Sequence, residues 1–162
     1  MVLPPILRII DVNINRVSEG LRVLEDVSRF ILEDTESSRK LKSIRHFISQ
    51  LTAKADLPLT QVRDAEGDIG AEFDLTNGHV NLVSLVRANS RRVQEGLRVL
   101  EELAKLPDIR DIISSEYLRT HRYSIYTLEK HLLAELGGQN KWKIQREENG
   151  RGKAKKNRNK AG

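Results

Sequence analysis

The sequence predicts an all-α protein in which two copies of a helix hairpin form a pseudo-two-fold four-helix bundle with a long crossover loop. A thirteen-residue segment at 13–25 (NINRVSEGLRVLE) recurs at 89–101 (NSRRVQEGLRVLE) with ten identical positions. Apolar residues in both copies are spaced by three and four residues, which is the period of an amphipathic helix. No segment shows the strict alternation of a half-buried strand.

The first copy is expected to contain two helices. One spans about residues 5–33, with Pro5 in its opening turn. The other spans about residues 36–54, after the candidate capping residues Asp34 and Thr35.

The second copy is expected to contain helices at about 80–106 and 108–136. Pro107 and Asp108 separate them, because a proline followed by a capping aspartate favours a new start. Gly137-Gly138 is expected to end the last helix. The segment KLKSIR at 40–45 aligns with YLRTHR at 117–122, which pairs Arg45 with Arg122.

We therefore expect one folded domain at 1–136, with repeats at about 5–54 and 80–136, a crossover loop at 55–79 and a basic tail at 137–162. A connection of this length without helical period is typical of a binding loop. The tail holds nine Lys or Arg against two Glu and few apolar residues, so we expect it to be disordered. The other residues carry 19 basic and 21 acidic side chains, so the net charge of +5 comes from the tail. Nucleic-acid binding is therefore not expected of the folded domain.

The composition argues against several classes of site. With no cysteine there is no disulfide, thiolate nucleophile or cysteine zinc site, and the four histidines lack paired ligand spacing. The sequence has neither an apolar run long enough to span a membrane nor the features of a signal peptide. We expect a cytoplasmic protein.

Polar residues of the repeat fall on the apolar side of a helical wheel. Asn13, Arg16 and Gly20 lie beside the apolar stripe of the first copy, and Asn89, Arg92 and Gly96 take the same places in the second. An arginine buried there is costly unless a partner neutralises it. Either Glu19 and Glu95 pair with the arginines inside the protein, or both sets converge on a phosphorylated ligand. Guanidinium groups match phosphate oxygens in bidentate fashion.

The duplicated glycines need compensation, because a glycine inside a helix costs roughly 1 kcal/mol relative to alanine. We expect the first and third helices to approach closely where Gly20 and Gly96 cross, or else a ligand to lie against the backbone. Arg22 and Arg98, with Glu25 and Glu101, are expected to form exposed or interfacial pairs.

The crossover loop carries RDAEGDIG at 63–70. Aspartate and glycine are common in turns for local reasons, so a capped glycine turn is one interpretation. The other is that Asp64 and Asp68 hold Mg²⁺ through oxygen ligands while Arg63 faces a phosphate.

The motif NxxRxxEGLRVLE, given twice with RDxxGDxG between, resembles the monofunctional hydroxymethylpyrimidine-phosphate kinases of thiamine biosynthesis, over about residues 7–135. These domains are often fused ahead of thiamine-phosphate synthase. The resemblance implies ATP-dependent phosphorylation of hydroxymethylpyrimidine phosphate to the diphosphate. No synthase domain follows, so we expect a standalone kinase. The basic tail is outside the family pattern.

The chemistry of that reaction suggests roles for the candidate residues. The acceptor is an ionised phosphate oxygen, so positioning and charge neutralisation suffice. Arg16, Arg92, Asp64 and Asp68 are the catalytic candidates, with ATP and Mg²⁺ as cofactors. The substrate-binding candidates are Asn13, Asn89, Arg45, Arg122 and Arg63. Asp64 and Asp68, with Glu19 or Glu95, are the candidates for binding the metal.

Two alternatives to the kinase are kept. The first is a non-catalytic helical module that forms homodimers or binds thiamine-phosphate synthase. A module of this kind predicts no ATP turnover and an exposed apolar face. The second is RNA binding through the basic tail, which predicts salt-sensitive binding that is lost on truncation.

Overall fold

The structure, a computed structural model, describes residues 4–55, 58–63, 78–79 and 81–158, without the side chains of 52–55 and 139–158. These residues form helices and turns, with no strand among them, so the predicted all-α class is confirmed. The helices are α1 (Pro4–Asp26), α2 (Thr35–Ala55), α3 (Leu82–Leu103) and α4 (Ser115–Arg158).

The turn between α1 and α2 follows from the local sequence. A π-helical turn at Val27–Ile31 continues α1, and Glu33 then adopts a left-handed conformation with φ of 55°. Asp34 caps α2, since its Oδ1 accepts hydrogen bonds from the backbone N–H groups of Glu36 and Ser37. The predicted cap at Asp34 is confirmed.

Helices α1 and α3 form the centre of the bundle. Helix α2 packs on α1, and α4 packs on α3. Helices α2 and α4 also contact each other, through a 2.9 Å hydrogen bond between Asp34 and His131 and through the tilted rings of Phe47 and His121, which are in contact. Both therefore lie on the same side of the α1/α3 pair. We call the opposite side of that pair the open face.

The core confirms the duplication. Equivalent apolar residues of the two copies are fully or almost fully buried, and they come from all four helices. The pairs are Val17 and Val93, Leu21 and Leu97, Leu24 and Leu100, Leu41 and Leu118, and Ile48 and Ile125.

Both predicted boundaries of the last helix are wrong. Helix α4 begins at Ser115 instead of residue 108, because Ile109 and Ile113 are buried within a series of turns that precedes it. It also passes through Gly137-Gly138 and continues to Arg158, through part of the segment expected to be disordered. Two glycines disfavour a helix by only about 1 kcal/mol each, and good helix formers follow them.

Within the described residues, no helix is both long and apolar enough to cross a membrane.

Candidate functional site

The crossing of α1 and α3 is built on the duplicated glycines. A Cβ atom on Gly20 would lie 2.7 Å from Val93 Cγ2 and 3.1 Å from the Asn89 carbonyl oxygen. A Cβ atom on Gly96 would lie 2.6 Å from Val17 Cγ2 and 3.4 Å from the Asn13 carbonyl oxygen. The helices are therefore antiparallel and in close contact, so the expected close approach of the first and third helices is confirmed, with each glycine facing the valine and asparagine of the other copy.

The asparagines lie on either side of this crossing. Asn13 and Asn89 are buried, and each Nδ2 donates a hydrogen bond to the carbonyl four residues earlier, on Ile9 and Leu85 respectively. Asn89 is next to Gly20, and seven residues of helix, or about 10 Å, separate Gly20 from Asn13. The two amides therefore occupy equivalent positions but do not meet at one point.

Arg16 and Arg92 do not point into the core. Both are exposed, so the prediction that they face inward is wrong. A guanidinium group avoids the loss of hydration by leaving the edge of the apolar stripe for water. Their predicted internal pairs with Glu19 and Glu95 are also absent among the described residues.

The two arginines nevertheless lie on the same side of the bundle. Arg16 is nine residues from Glu25, which places the two side chains about 180° apart on α1. Glu25 binds α2 through Arg45, so Arg16 points away from α2. The same spacing separates Arg92 from Glu101, which binds Arg122 of α4. Both arginines therefore lie on the open face.

Their levels along the helices are also close. Gly96 lies beside the turn between Asn13 and Val17, and so level with Arg16. Arg92 is four residues, one turn or about 6 Å, from Gly96 on the same helix. Two exposed guanidinium groups without ion-pair partners among the described residues are thus presented together, one from each repeat. This arrangement can bind a phosphate from two sides.

Arg45 and Arg122 are engaged elsewhere. Arg45 Nε donates to the buried Glu25 carboxylate at 2.9 Å. Arg122 donates to Glu101 at 2.9 Å, and Glu101 also accepts from Arg98 and Arg119. Arg45 and Arg122 do not share a single pocket with Arg16 and Arg92. Glu25 and Glu101 are buried in ion pairs between the helices of each hairpin, so of the two predicted alternatives the interfacial one is confirmed and the exposed one is wrong. These pairs tie each hairpin together on the side away from the open face.

The pKa of Glu101 is consistent with these ion pairs. Burial disfavours the charged carboxylate, but hydrogen bonds from Arg119 and Arg122, with the nearby charges of Arg122 and Arg98, outweigh it and hold the pKa of Glu101 below its ordinary value. Glu101 is therefore ionised at neutral pH and binds its arginines as a carboxylate.

Arg63 anchors the start of the crossover segment. A 3₁₀-helical turn at Leu59–Val62 buries Leu59 against the core. Arg63 then donates two hydrogen bonds, of 2.7 and 2.8 Å, to the buried carboxylate of Asp11 on α1. Sequence reasoning missed Asp11 because its counterpart in the second copy is Arg87, so the repeat does not mark it. Arg63 is also held away from the open face.

The structure describes two of the four proposed metal ligands. Asp64 and Asp68 lie outside the described residues. Glu19 and Glu95 are exposed on α1 and α3. Among the side chains that the structure describes, no group of three or more His, Asp or Glu residues could hold a metal ion.

Comparison with known proteins identifies the family. The model of the ThiD2 family matches residues 8–131, which include both copies of the motif and the crossover segment. The chain belongs to the ThiD2 family. This ThiD2 domain covers all four helices as far as the middle of α4. No solved structure matches the chain.

Similar curated proteins are longer than this ThiD2 chain. A thiamine-phosphate synthase of Rhodopirellula baltica is 34% identical over 141 residues, covering 83% of this chain and 36% of the relative. One of Nostoc punctiforme is 36% identical, covering 84% of this chain and 38% of the relative. One of a Synechocystis species is 37% identical, covering 79% and 36%. The chain thus spans little more than a third of the length of these relatives.

Proposed function

We propose that this ThiD2 chain catalyses the ATP-dependent phosphorylation of hydroxymethylpyrimidine phosphate to the diphosphate in thiamine biosynthesis. The names of the relatives support the pathway. The observation that carries the reaction type is the pair Arg16 and Arg92, which lie close together on the open face, duplicated by the repeat and without ion-pair partners among the described residues.

The proposed reaction requires little acid–base catalysis by the protein. The acceptor oxygen belongs to a phosphate that is already ionised, so no residue has to remove a proton. The requirement is to hold two anionic groups in line and to neutralise the charge that develops on the transferred phosphoryl group. Arg16 and Arg92 provide that charge from opposite sides of the crossing. Each guanidinium group offers a planar fork of donors that fits two phosphate oxygens.

Both asparagines keep hydrogen-bonding capacity for a ligand. The Nδ2 group of each donates one hydrogen bond within its own helix, so its second N–H and the carboxamide oxygen remain. An acceptor at this position suits the amino group of the pyrimidine ring. Because Asn13 and Asn89 are about 10 Å apart, one of them orients the ring while the other lies nearer the nucleotide.

Magnesium suits the carboxylate candidates of this chain. Mg²⁺ takes oxygen ligands in proteins, commonly carboxylates together with substrate phosphates and water. Glu19 or Glu95, with Asp64 and Asp68 of the crossover loop, would hold it. The ion would supply positive charge that neutralises the phosphates when ATP is bound.

The non-catalytic alternative has one observation in its favour. Ile9, Val12 and Val99 lie on the open face, and 37–43% of their surface is exposed. That apolar surface was expected of a module that forms dimers or binds the synthase. It also suits the flat faces of a pyrimidine or purine ring, so turnover must decide between the two functions.

Steady-state kinetics with Mg-ATP and hydroxymethylpyrimidine phosphate test the proposal. We expect the diphosphate to form, and Arg16→Ala and Arg92→Ala each to lower kcat/KM by about 100-fold or more, as loss of a transition-state donor does. Arg22→Ala is the matched control, because Arg22 is also exposed on α1 but about 120° from Arg16.

Two results would reject the kinase site. Unchanged kcat/KM in both Arg16→Ala and Arg92→Ala would exclude the arginine pair. Absence of any diphosphate with the folded wild-type chain would favour the non-catalytic module.

A further inference from the structure

A cavity separates the two outer helices on the side opposite the open face. Its volume is about 590 Å³, within the usual range of small-molecule sites. Ile44 of α2 and Leu128 of α4 provide its apolar lining, and Ser37, Ser43, Ser124 and Thr127 contribute hydroxyl groups. None of these residues belongs to the duplicated motif or to the proposed kinase site.

Contacts between α2 and α4 bound this cavity at both ends. At one end Asp34 and His131 share a hydrogen bond of 2.9 Å. At the other, the ring of Phe47 packs against the tilted ring of His121 with centroids 4.3 Å apart and lies 6.2 Å from that of Tyr117. These two contacts close both ends of the space between α2 and α4, which we call the slot.

The repeat shows that this slot is an exception to the pseudo-symmetry. Each residue of α2 corresponds to the residue of α4 that lies 77 positions later in the chain. Arg45 and Arg122 show this offset, because they bind the equivalent glutamates Glu25 and Glu101. The counterpart of Phe47 is therefore Ser124. On the Phe47 side the space between α2 and α4 is filled by aromatic rings, whereas on the Ser124 side a hydroxyl leaves it open.

The polar groups around the slot carry no unpaired charge. Lys40 forms an ion pair of 2.6 Å with Glu36, and His131 is bound to Asp34. Burial lowers the pKa of His121, so this imidazole is neutral at neutral pH. A ligand that brings its own net charge would lack a counter-charge here, whereas hydroxyl groups and ring nitrogens would find both donors and acceptors.

We propose that the α2–α4 slot is a second ligand site, which binds an uncharged heteroaromatic molecule with hydroxyl groups, of about the size of a nucleoside. The aliphatic side chains of Ile44 and Leu128 contact the faces of the ring. The serine and threonine hydroxyls, with the imidazole of His121, bind its polar edge. The site lies across the bundle from Arg16 and Arg92, so it does not depend on the proposed kinase activity.

Nuclear magnetic resonance of the four histidine imidazoles tests this site on the full chain, with adenosine as the probe. We expect saturable shifts of the His121 and His131 resonances, while His46, which binds Gln50 on α2, stays unchanged. Adenosine monophosphate should bind the slot no more tightly than adenosine. Absence of saturable shifts at His121 and His131, or binding of the monophosphate more than about tenfold tighter, would overturn the proposal.

Substitutions of Ser124 and Ser43, on opposite walls of the slot, complete the test. Ser124→Phe restores the ring that its counterpart Phe47 supplies and should abolish the adenosine-dependent shifts, with helicity retained. Ser124→Ala leaves the slot open and should keep them. Ser43→Phe blocks the slot from α2 and serves if the first variant fails to fold. Unchanged adenosine binding in a folded blocking variant would contradict the assignment.

Discussion

Replacing Gly20 by alanine should destabilise the protein, although alanine is the better helix former by about 1 kcal/mol. The new methyl group would lie 2.7 Å from Val93 Cγ2 and 3.1 Å from the Asn89 carbonyl oxygen. Valine has one strongly preferred rotamer in a helix, so its methyl group cannot simply turn away. Overpacking of this kind costs typically 1–3 kcal/mol. We expect a net loss of about 1 kcal/mol, because the shift of a backbone carbonyl adds to the clash.

Urea unfolding followed by circular dichroism measures this loss, and a second substitution identifies its cause. Val93→Ala should be less damaging in the Gly20→Ala background than in the wild type, with a coupling energy of about 1 kcal/mol. Val17→Ala should show no such coupling to Gly20→Ala, because Val17 faces Gly96. A gain of stability in Gly20→Ala, or equal coupling to both valines, would refute the close approach of the two helices.

Three other predictions concern carboxylates that accept hydrogen bonds within the protein. The hydrogen bond from the Ser37 side chain, opposed by burial and assisted by the Ser37 backbone and His131, lowers the pKa of Asp34 to about 2. The ionised Asp34 carboxylate therefore stabilises the fold fully above its unfolded pKa near 3.8, and this stabilisation is lost as the pH falls through 2. Asp34→Asn, which keeps the cap, should therefore cost about 1 kcal/mol at neutral pH, allowing for partial exposure, and almost nothing at pH near 2 in pH-dependent thermal melts. Arg45→Met should lower the free energy of unfolding by about 3 kcal/mol, since it leaves buried Glu25 without its partner, and equal stability of variant and wild type in urea would contradict the tie. Asp11→Asn should speed amide hydrogen exchange at Leu59–Val62 while α2 stays protected, because Arg63 loses its bidentate partner; unchanged exchange would show that Leu59 alone holds the turn.

Much of the fold could be predicted because the same pattern of apolar residues and glycine occurs in both copies of the repeat. The thirteen-residue motif fixes two equivalent helices, and its glycines predict where they cross. The same reasoning predicted the Asp34 cap, since side-chain capping depends on neighbouring residues alone. These features are local, or are marked twice.

The orientation of the arginines could not be predicted from the wheel. Arg16 lies about 60° from Asn13, near the boundary between buried and exposed arcs, and a long flexible side chain at that boundary reaches water. Glu25 lies on the opposite flank, where only the placement of α2 decides that it is buried. The exposure of Arg16 and the burial of Glu25 depend on which side of α1 is covered by another helix, and this cannot be read from the sequence of α1 alone.

The central claim is that the two repeats share one ligand site on the open face, with Arg16 from one copy and Arg92 from the other. Isothermal titration of the folded chain with hydroxymethylpyrimidine phosphate tests this most directly. A shared site predicts one molecule bound per chain, and loss of most of the affinity in either single arginine-to-alanine variant. Two molecules per chain, with each variant losing only one of them, would contradict it.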